Sequence, residues 1–256
     1  SSGIYVKEDG TKLYVRDNTT DTVYQYTMST PYDISTASYD SKSLSVSTQS
    51  TNGYGITFNV DGSVLYVSDI SGSIYQYNLS TAWDISTGIY SGVSFSVASQ
   101  ESTILGLDFG NSGEKMYIVG QSSDTIYQYS TVLTTNTLDL STGSVFEITP
   151  TSDIQINLSN PADSGTVSGA TLLLDQAGYG GYDLGNAVDP SISFSSAYKP
   201  NAGIDFSTDG TKMYTGHLDS DLVVEYSLST AWDITTASLS STFSVLSQDT
   251  LIGGLT

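Results

Sequence analysis

A unit of about 51 residues recurs along this chain of 256 residues. A repeat of that size is too small to bury its own apolar face and must stack on its neighbours in a line or a ring. Four copies of a glycine-led strand stand at Gly3-Ile4-Tyr5-Val6, Gly55-Ile56-Thr57-Phe58, Gly106-Leu107-Asp108-Phe109 and Gly203-Ile204-Asp205-Phe206. Each runs into a turn whose glycine is Gly10, Gly62, Gly113 or Gly210, so successive copies lie 52, 51 and 97 residues apart. Two further markers keep the same register. Tyr24-Gln25-Tyr26, Tyr75-Gln76-Tyr77, Tyr127-Gln128-Tyr129 and Val224-Glu225-Tyr226 close the third segment of each copy. Tyr32-Asp33-Ile34, Trp83-Asp84-Ile85, Tyr182-Asp183-Leu184 and Trp232-Asp233-Ile234 follow.

Each copy reads strand, turn, strand, loop, strand, loop, strand. In the second copy the runs are Gly55–Val60, Ser63–Ser68, Ser73–Leu79 and Val93–Ser99, rich in β-branched and aromatic residues and bounded by Gly, Asp and Ser. The Asp-Gly pairs at Asp9-Gly10, Asp61-Gly62 and Asp209-Gly210 supply the positive φ that a tight hairpin needs. No apolar run reaches the 18 residues that would mark a membrane span. Four antiparallel strands per copy, with radial closure hiding the sheet edges, predict an all-β fold of the β-propeller type.

The long third interval holds about 46 extra residues between Ser130 and Gly181, with strand-like runs at Thr137–Leu140, Val145–Thr149, Ile154–Leu158 and Ala170–Leu174. Two readings compete: residues 131–181 are a divergent blade, or they are a β-module projecting from the loop between the third and fourth strands. A chain of 256 residues holds about five periods, so five blades are favoured over four plus a module, within a single domain spanning 1–256. Leu251–Thr256 matches the start of another first strand, and the chain reads as a window of a longer one.

With 27 acidic and 7 basic residues the net charge is −20, which argues against a phosphate-backbone partner, since that needs Lys and Arg to release counterions. The absence of cysteine removes disulfides, thiolate zinc sites and cysteine nucleophiles. His217 is the only histidine and reads as a solvated loop residue; no Gly-x-Ser-x-Gly elbow accompanies it. A glycosidase needs only two carboxylates, so the inventory permits one. Yet Asp33, Asp84, Asp183 and Asp233 recur with the period after an aromatic residue, where a carboxylate caps a local turn. No catalytic residue is assigned, and the chain is expected not to be an enzyme.

The loops between second and third strands carry Asp17, Asp21, Asp69, Asp124, His217, Asp219 and Asp221, and on a propeller they share one face with the loops joining blades, such as Gln49–Tyr54. This loop face is the candidate ligand-binding surface. Its oxygens could converge on a calcium ion, but no single loop supplies the six to eight ligands that calcium takes, so no metal or cofactor is expected. Exposed aromatic and amide side chains on the same face suit glycans. Tyr14, Tyr66, Tyr117 and Tyr214, with Tyr26, Tyr77, Tyr129 and Tyr226, keep register and are expected to pack between blades.

The string Asp209-Gly210-Thr211-Lys212-Met213-Tyr214, followed by Val224–Ile234, resembles the tandem propeller repeats of tail-fibre and other virion structural proteins of marine and cyanobacterial phages. Thr137–Pro150 with Ser159–Gly165 resembles a β-module found beside such repeats. Together they cover nearly the whole chain, although Asn111-Ser112-Gly113 replaces Asp-Gly in the third copy. The resemblance implies a non-enzymatic particle component, a tail fibre, spike or decoration in the virion. Its partners would be other copies or neighbouring structural proteins and a host-surface glycan. It transfers no binding residue. Similar repeats in bacterial surface proteins leave a surface-borne or secreted carbohydrate-binding propeller as the alternative.

Overall fold

Each copy of the repeat folds into one four-stranded antiparallel sheet. The computed structural model describes residues 3–131, 134–139, 154–159, 184, 187–217 and 219–246. Blade 1 is β1 (Gly3–Val6), β2 (Lys12–Asp17), β3 (Thr22–Met28) and β4 (Ala37–Ser45); blade 2 is β5 (Ile56–Phe58), β6 (Val64–Asp69), β7 (Ser73–Leu79) and β8 (Gly88–Ser96). Blade 3 takes β9 (Ile104–Gly110), β10 (Lys115–Gly120) and β11 (Ile126–Ser130), then β14 (Val188–Phe194) as its outer strand. Blade 4 is β15 (Ile204–Phe206), β16 (Lys212–His217), β17 (Leu222–Leu228) and β18 (Ala237–Ser244). The first strands of neighbouring blades lie side by side, β1 by β5, β5 by β9 and β9 by β15, so the sheets radiate from a shared axis as in a propeller. No helix among the described residues is long and apolar enough to cross a membrane.

Among the described residues the blades number four, where the sequence period favours five. The inserted segment contributes β12 (Thr134–Asp139) and β13 (Ile154–Ser159), which pair with each other in parallel and with no blade, while β11 recovers its antiparallel partner in β14. The extra length therefore interrupts blade 3 between its third and fourth strands. The period gave a length close to one blade, but a blade also needs the β-hairpin ladder, which a parallel pair does not supply. The expected runs at Val145–Thr149 and Ala170–Leu174 lie outside the described residues.

A second difference concerns strand length. The fourth strand of blade 2 begins at Gly88, five residues before the expected Val93. Gly92 at φ +85°, like Ser41 at φ +58° in β4, inserts a bulge that breaks the two-residue alternation and hides the first half of the strand from a periodicity reading.

The turns show why the repeat keeps its markers. Gly10, Gly62 and Gly210 have φ of +70°, +72° and +68°, and the rings of Tyr32, Trp83 and Trp232 lie on them: a Cβ at Gly62 would fall 2.1 Å from the Trp83 ring. The backbone N–H of each aromatic donates to the glycine carbonyl at 2.9 Å, and the aromatics themselves sit at φ of +62° to +64°. That left-handed geometry is unusual for a bulky side chain and is held by the ring over the turn. The aspartate that follows caps a 3-10 turn: Asp33, Asp84 and Asp233 each accept from the N–H two residues on, at 3.0 to 3.1 Å. The structural reading of these three recurrent acids holds; Asp183 lies outside the described residues.

Between blades the contacts repeat as well. The β2-type tyrosine of one blade meets the phenylalanine of the next, with centroids 4.6 Å apart for Tyr14 and Phe58, 4.6 Å for Tyr66 and Phe109 and 4.2 Å for Tyr117 and Phe206. Tyr14 and Tyr117 donate their hydroxyls to the carbonyls of Trp83 and Trp232 in the next blade, at 2.8 and 2.6 Å. The glutamine of each Tyr-Gln-Tyr triplet accepts a backbone N–H of the next blade: Gln25 from Ile85 and Gln128 from Ile234, each opening a 3-10 turn, and Gln76 from Leu184. Tyr77, Tyr129 and Tyr226 are buried, as expected of interblade residues, whereas Tyr26 and Tyr214, at the two ends of the array, are only partly so.

Candidate functional site

The β2–β3 loops and the blade-joining loops do share one face. Asp69 accepts from Ser50 Oγ and Ser71 N–H at 2.9 Å, and Asn18 donates to Asn52. The described acids on this face do not converge on one point, however. Asp17 accepts from Thr19 N–H at 3.0 Å and from Thr20 Oγ1 at 3.1 Å, and the bond from Thr19 holds its carboxyl below the ordinary range. Burial pushes the Asp69 carboxyl up, but bonds from Ser71, Ser50 and Asn52 outweigh it and the net direction is down. Asp21, Asp124 and Asp221 occupy one slot, at φ of +49° to +51° where blade 2 has Gly72, and shape the hairpin. Their backbone carries the bonding: the carbonyls of Asp21 and Asp221 accept from Val46 and Val245. Asp124 pairs with Lys199 at 3.2 Å on an exposed rim, and Asp219 is exposed with Asn201 at 3.4 Å. Among the described residues no group of three or more His, Asp or Glu is placed to hold a metal.

His217 is not a loop residue. It ends β16, is fully buried, and touches Thr215 Oγ1 through Nε2 at 2.8 Å and the Tyr198 carbonyl through Nδ1. Burial lowers its pKa and keeps the ring neutral. The single histidine looked solvated because Gly216 precedes it and Asp219 follows; in the repeat register it occupies the place of Asp17 and Asp69, and like Asp69 its side chain ties the strand end to the blade-joining loop. Glu101 and Arg16 do similar work. Buried Glu101 accepts from the N–H groups of Thr103, Ser122 and Ser123. Arg16, fully buried, donates to the Ser68 carbonyl and Ser50 Oγ, each at 2.5 Å, and burial lowers its pKa to about 10.

The chemistry gathers at the opposite end, where the β1–β2 turns surround the axis. A cavity of about 790 Å³ is walled by the first strands of all four blades and rimmed by Tyr32, Trp83 and Trp232. That volume lies in the range of small-ligand sites. Glu8 and Asp9 stand at its mouth, and Asp108 and Asp205 line its wall from the inner strands of blades 3 and 4. Each of these two accepts the N–H of the following phenylalanine at 2.8 Å. Burial pushes the Asp108 carboxyl well above the ordinary range and Asp205 adds to the rise; burial raises Asp205 as well. The arrangement offers a carboxyl that can stay protonated, to donate as well as accept, beside a second carboxyl and flat aromatic rings. The sequence carried a signal for this pair. Asp108 and Asp205 fill the slot held by Tyr5 and Thr57 in the other copies, the one acidic departure on an otherwise apolar inner strand.

No family model matches the chain, and no curated protein matches it. Solved propellers do. A candidate 6-phosphogluconolactonase from Bacteroides fragilis matches at TM-score 0.48 and 12% identity, over 95% of this chain and 56% of that one. The periplasmic gluconolactonase of Pseudomonas aeruginosa matches at 0.48 and 10%, over 94% and 52%, and the WD40 repeats of RRP9 at 0.48 and 9%, over 95% and 50%. The chain thus spans about half the length of these proteins. The propeller assignment rests on the four sheets themselves, and similarity this distant says nothing of activity.

Proposed function

We propose that this chain is a recognition and structural module of a surface assembly, of the tail-fibre type, and that it binds a glycan at the axial cavity. The observation that carries the reading is the pairing of the two channel carboxyls with the aromatic rim. Tyr32, Trp83 and Trp232 offer flat faces for the apolar side of a sugar ring, and Asp108 with Asp205 offers acceptors and a retained proton for its hydroxyls. The capping aspartates and the glutamines of the Tyr-Gln-Tyr triplets are occupied in caps and blade contacts, which favours recognition by the residues that depart from the repeat. The virion is the proposed setting, with a bacterial surface as the alternative; immunogold labelling of purified particles and of cells separates them.

A glycan array followed by titration calorimetry tests the binding. Asp108→Asn and Trp232→Ala are expected to weaken binding of the selected glycan, while Asp124→Asn on the opposite face leaves it unchanged; equal binding by all three would overturn the cavity assignment. One observation favours a second reading, hydrolysis: a raised carboxyl beside another carboxyl is the acid–base equipment of a glycosidase. Product analysis of the bound glycan decides between them, since turnover lost in Asp205→Asn would replace binding by catalysis.

A further inference from the structure

Among the described residues two faces, one at each end of the array, carry exposed apolar side chains. On the leading face of blade 1, Ile4 and Ile34 are 44% and 71% exposed, whereas their counterparts Ile56 and Ile204, and Ile85 and Ile234, are all at 0%. On the trailing face of blade 4, Phe243 is 66% exposed, whereas Phe95 at the same position packs edge-on against Tyr129 of the next blade at 5.4 Å. Val223 is partly exposed where Val23, Ile74 and Ile126 are fully buried. Tyr214 is partly exposed where Tyr14, Tyr66 and Tyr117 are buried against the following blade.

The three interfaces inside the chain state what fits such a face. At all three interfaces the glutamine oxygen on the third strand accepts the N–H of the residue after the aspartate, and at the first and third the tyrosine hydroxyl also donates to the carbonyl before it. Blade 4 presents Tyr214 and Glu225 at those positions, and blade 1 presents the Tyr32 carbonyl and the Ile34 N–H. Glu225 is bonded to Lys212 and Ser240 at 3.2 and 2.9 Å, both through Oε1. It replaces glutamine with an oxygen that accepts more strongly. The two uncovered faces are complementary to one another, and within one chain they do not cover each other.

We propose that the trailing face of blade 4 receives the leading face of blade 1 from a second copy of this chain, and that two copies related by a two-fold axis along the channel close a ring of eight blades. Eight lies at the upper end of the usual propeller range, and reciprocal head-to-tail contacts close such a ring without leaving a face open. Tyr214 then donates to the partner's Tyr32 carbonyl, Glu225 accepts from the partner's Ile34, and Phe243 and Ile34 lose their exposure.

Sedimentation equilibrium of the 256-residue chain across a concentration series tests this. The expected result is a mass twice the 27.1 kDa of the chain, with Ile34→Asp and Phe243→Asp each reduced to the single-chain mass. An equimolar mixture of the two variants is expected to recover a two-chain species, because Ile34→Asp keeps an intact trailing face and Phe243→Asp an intact leading one. Circular dichroism checks the fold, with Ile34→Ser and Phe243→Ser in reserve should an Asp variant lose its sheet signal. A wild-type chain that stays single at every concentration would overturn the proposal, as would a dimer that either variant leaves intact or a mixture that fails to associate. An open ladder of masses would retain the contact and overturn the two-fold ring.

Discussion

Ile34 and Ile85 open the same 3-10 turn, behind the same aspartate cap and an aromatic residue at the same left-handed φ, yet one is 71% exposed and the other fully buried. Their local structures are indistinguishable; only the neighbour differs. Ile85 meets the trailing face of blade 1 and Ile34 meets solvent. The pair separates two contributions that usually come together, the conformation a repeat encodes and the burial its neighbour supplies. It also shows that the capped turn forms without a covering blade. The end blades are thus folded units with unused interfaces.

The largest effect that follows is at these positions. Ile85→Ala removes a buried side chain and is expected to cost about 2–5 kcal/mol in denaturant unfolding. Ile34→Ala, measured where the chain is single, is expected to stay within about 0.5 kcal/mol, and to lose more only as concentration rises and copies associate. Equal losses in dilute solution would erase the distinction drawn between the two faces. His217→Ala comes next. It removes the partner of the Tyr198 carbonyl and the Thr215 contact from a buried site, at about 1–3 kcal/mol, far from the negligible cost of a solvated loop histidine. Because burial lowers its pKa, the folded state holds the ring neutral while the unfolded chain takes up a proton. The wild-type advantage is therefore present above the ordinary histidine range and shrinks as pH falls through it.

Gln25 and Glu225 repeat the covered-versus-uncovered contrast with polar groups. Gln25→Leu orphans the buried Ile85 N–H and is expected to cost about 1–2 kcal/mol, whereas Glu225→Leu in the single chain changes chemical-denaturation midpoints only slightly. A contrast of opposite sign separates the acids. Asp209 in an exposed turn has its carboxyl lowered to about 2 by bonds from Ser207 and Thr211, so its contribution is present above the ordinary carboxylate range and lost as pH falls toward 2. Asp108 in the channel is raised. The folded state keeps a proton that the unfolded chain releases, and stability falls as pH climbs from the ordinary range to the raised value. Asp108→Asn is therefore expected to melt higher than wild type at neutral pH, with the gain vanishing below about pH 4; a gain that persists in acid would refute the channel burial. The smallest effect is that of calcium. With the described loop acids not gathered on one point, calcium is expected to shift the melting temperature by no more than about 1 °C beyond sodium chloride at equal ionic strength. A rise of several degrees at micromolar calcium would mean that the loops close on an ion.

What the sequence determined was local. The Asp-Gly turns, the aromatic-aspartate caps and the tyrosine register depend on contacts within a repeat or on the same contact made again in the next, so their period could be read from residues alone. The fourth strands were blurred by bulges at Ser41 and Gly92, because a two-residue alternation cannot see an inserted residue. Blade number, the burial of His217, the convergence of Asp108 and Asp205 on one channel and the exposure of Ile34 and Phe243 were decided only in three dimensions. Each depends on which surface lies opposite. Copies alike in sequence share a conformation, but a side chain's solvent, its pKa and its partner come from whatever packs against it, and at the two ends of this array the described residues leave Ile34 and Phe243 exposed.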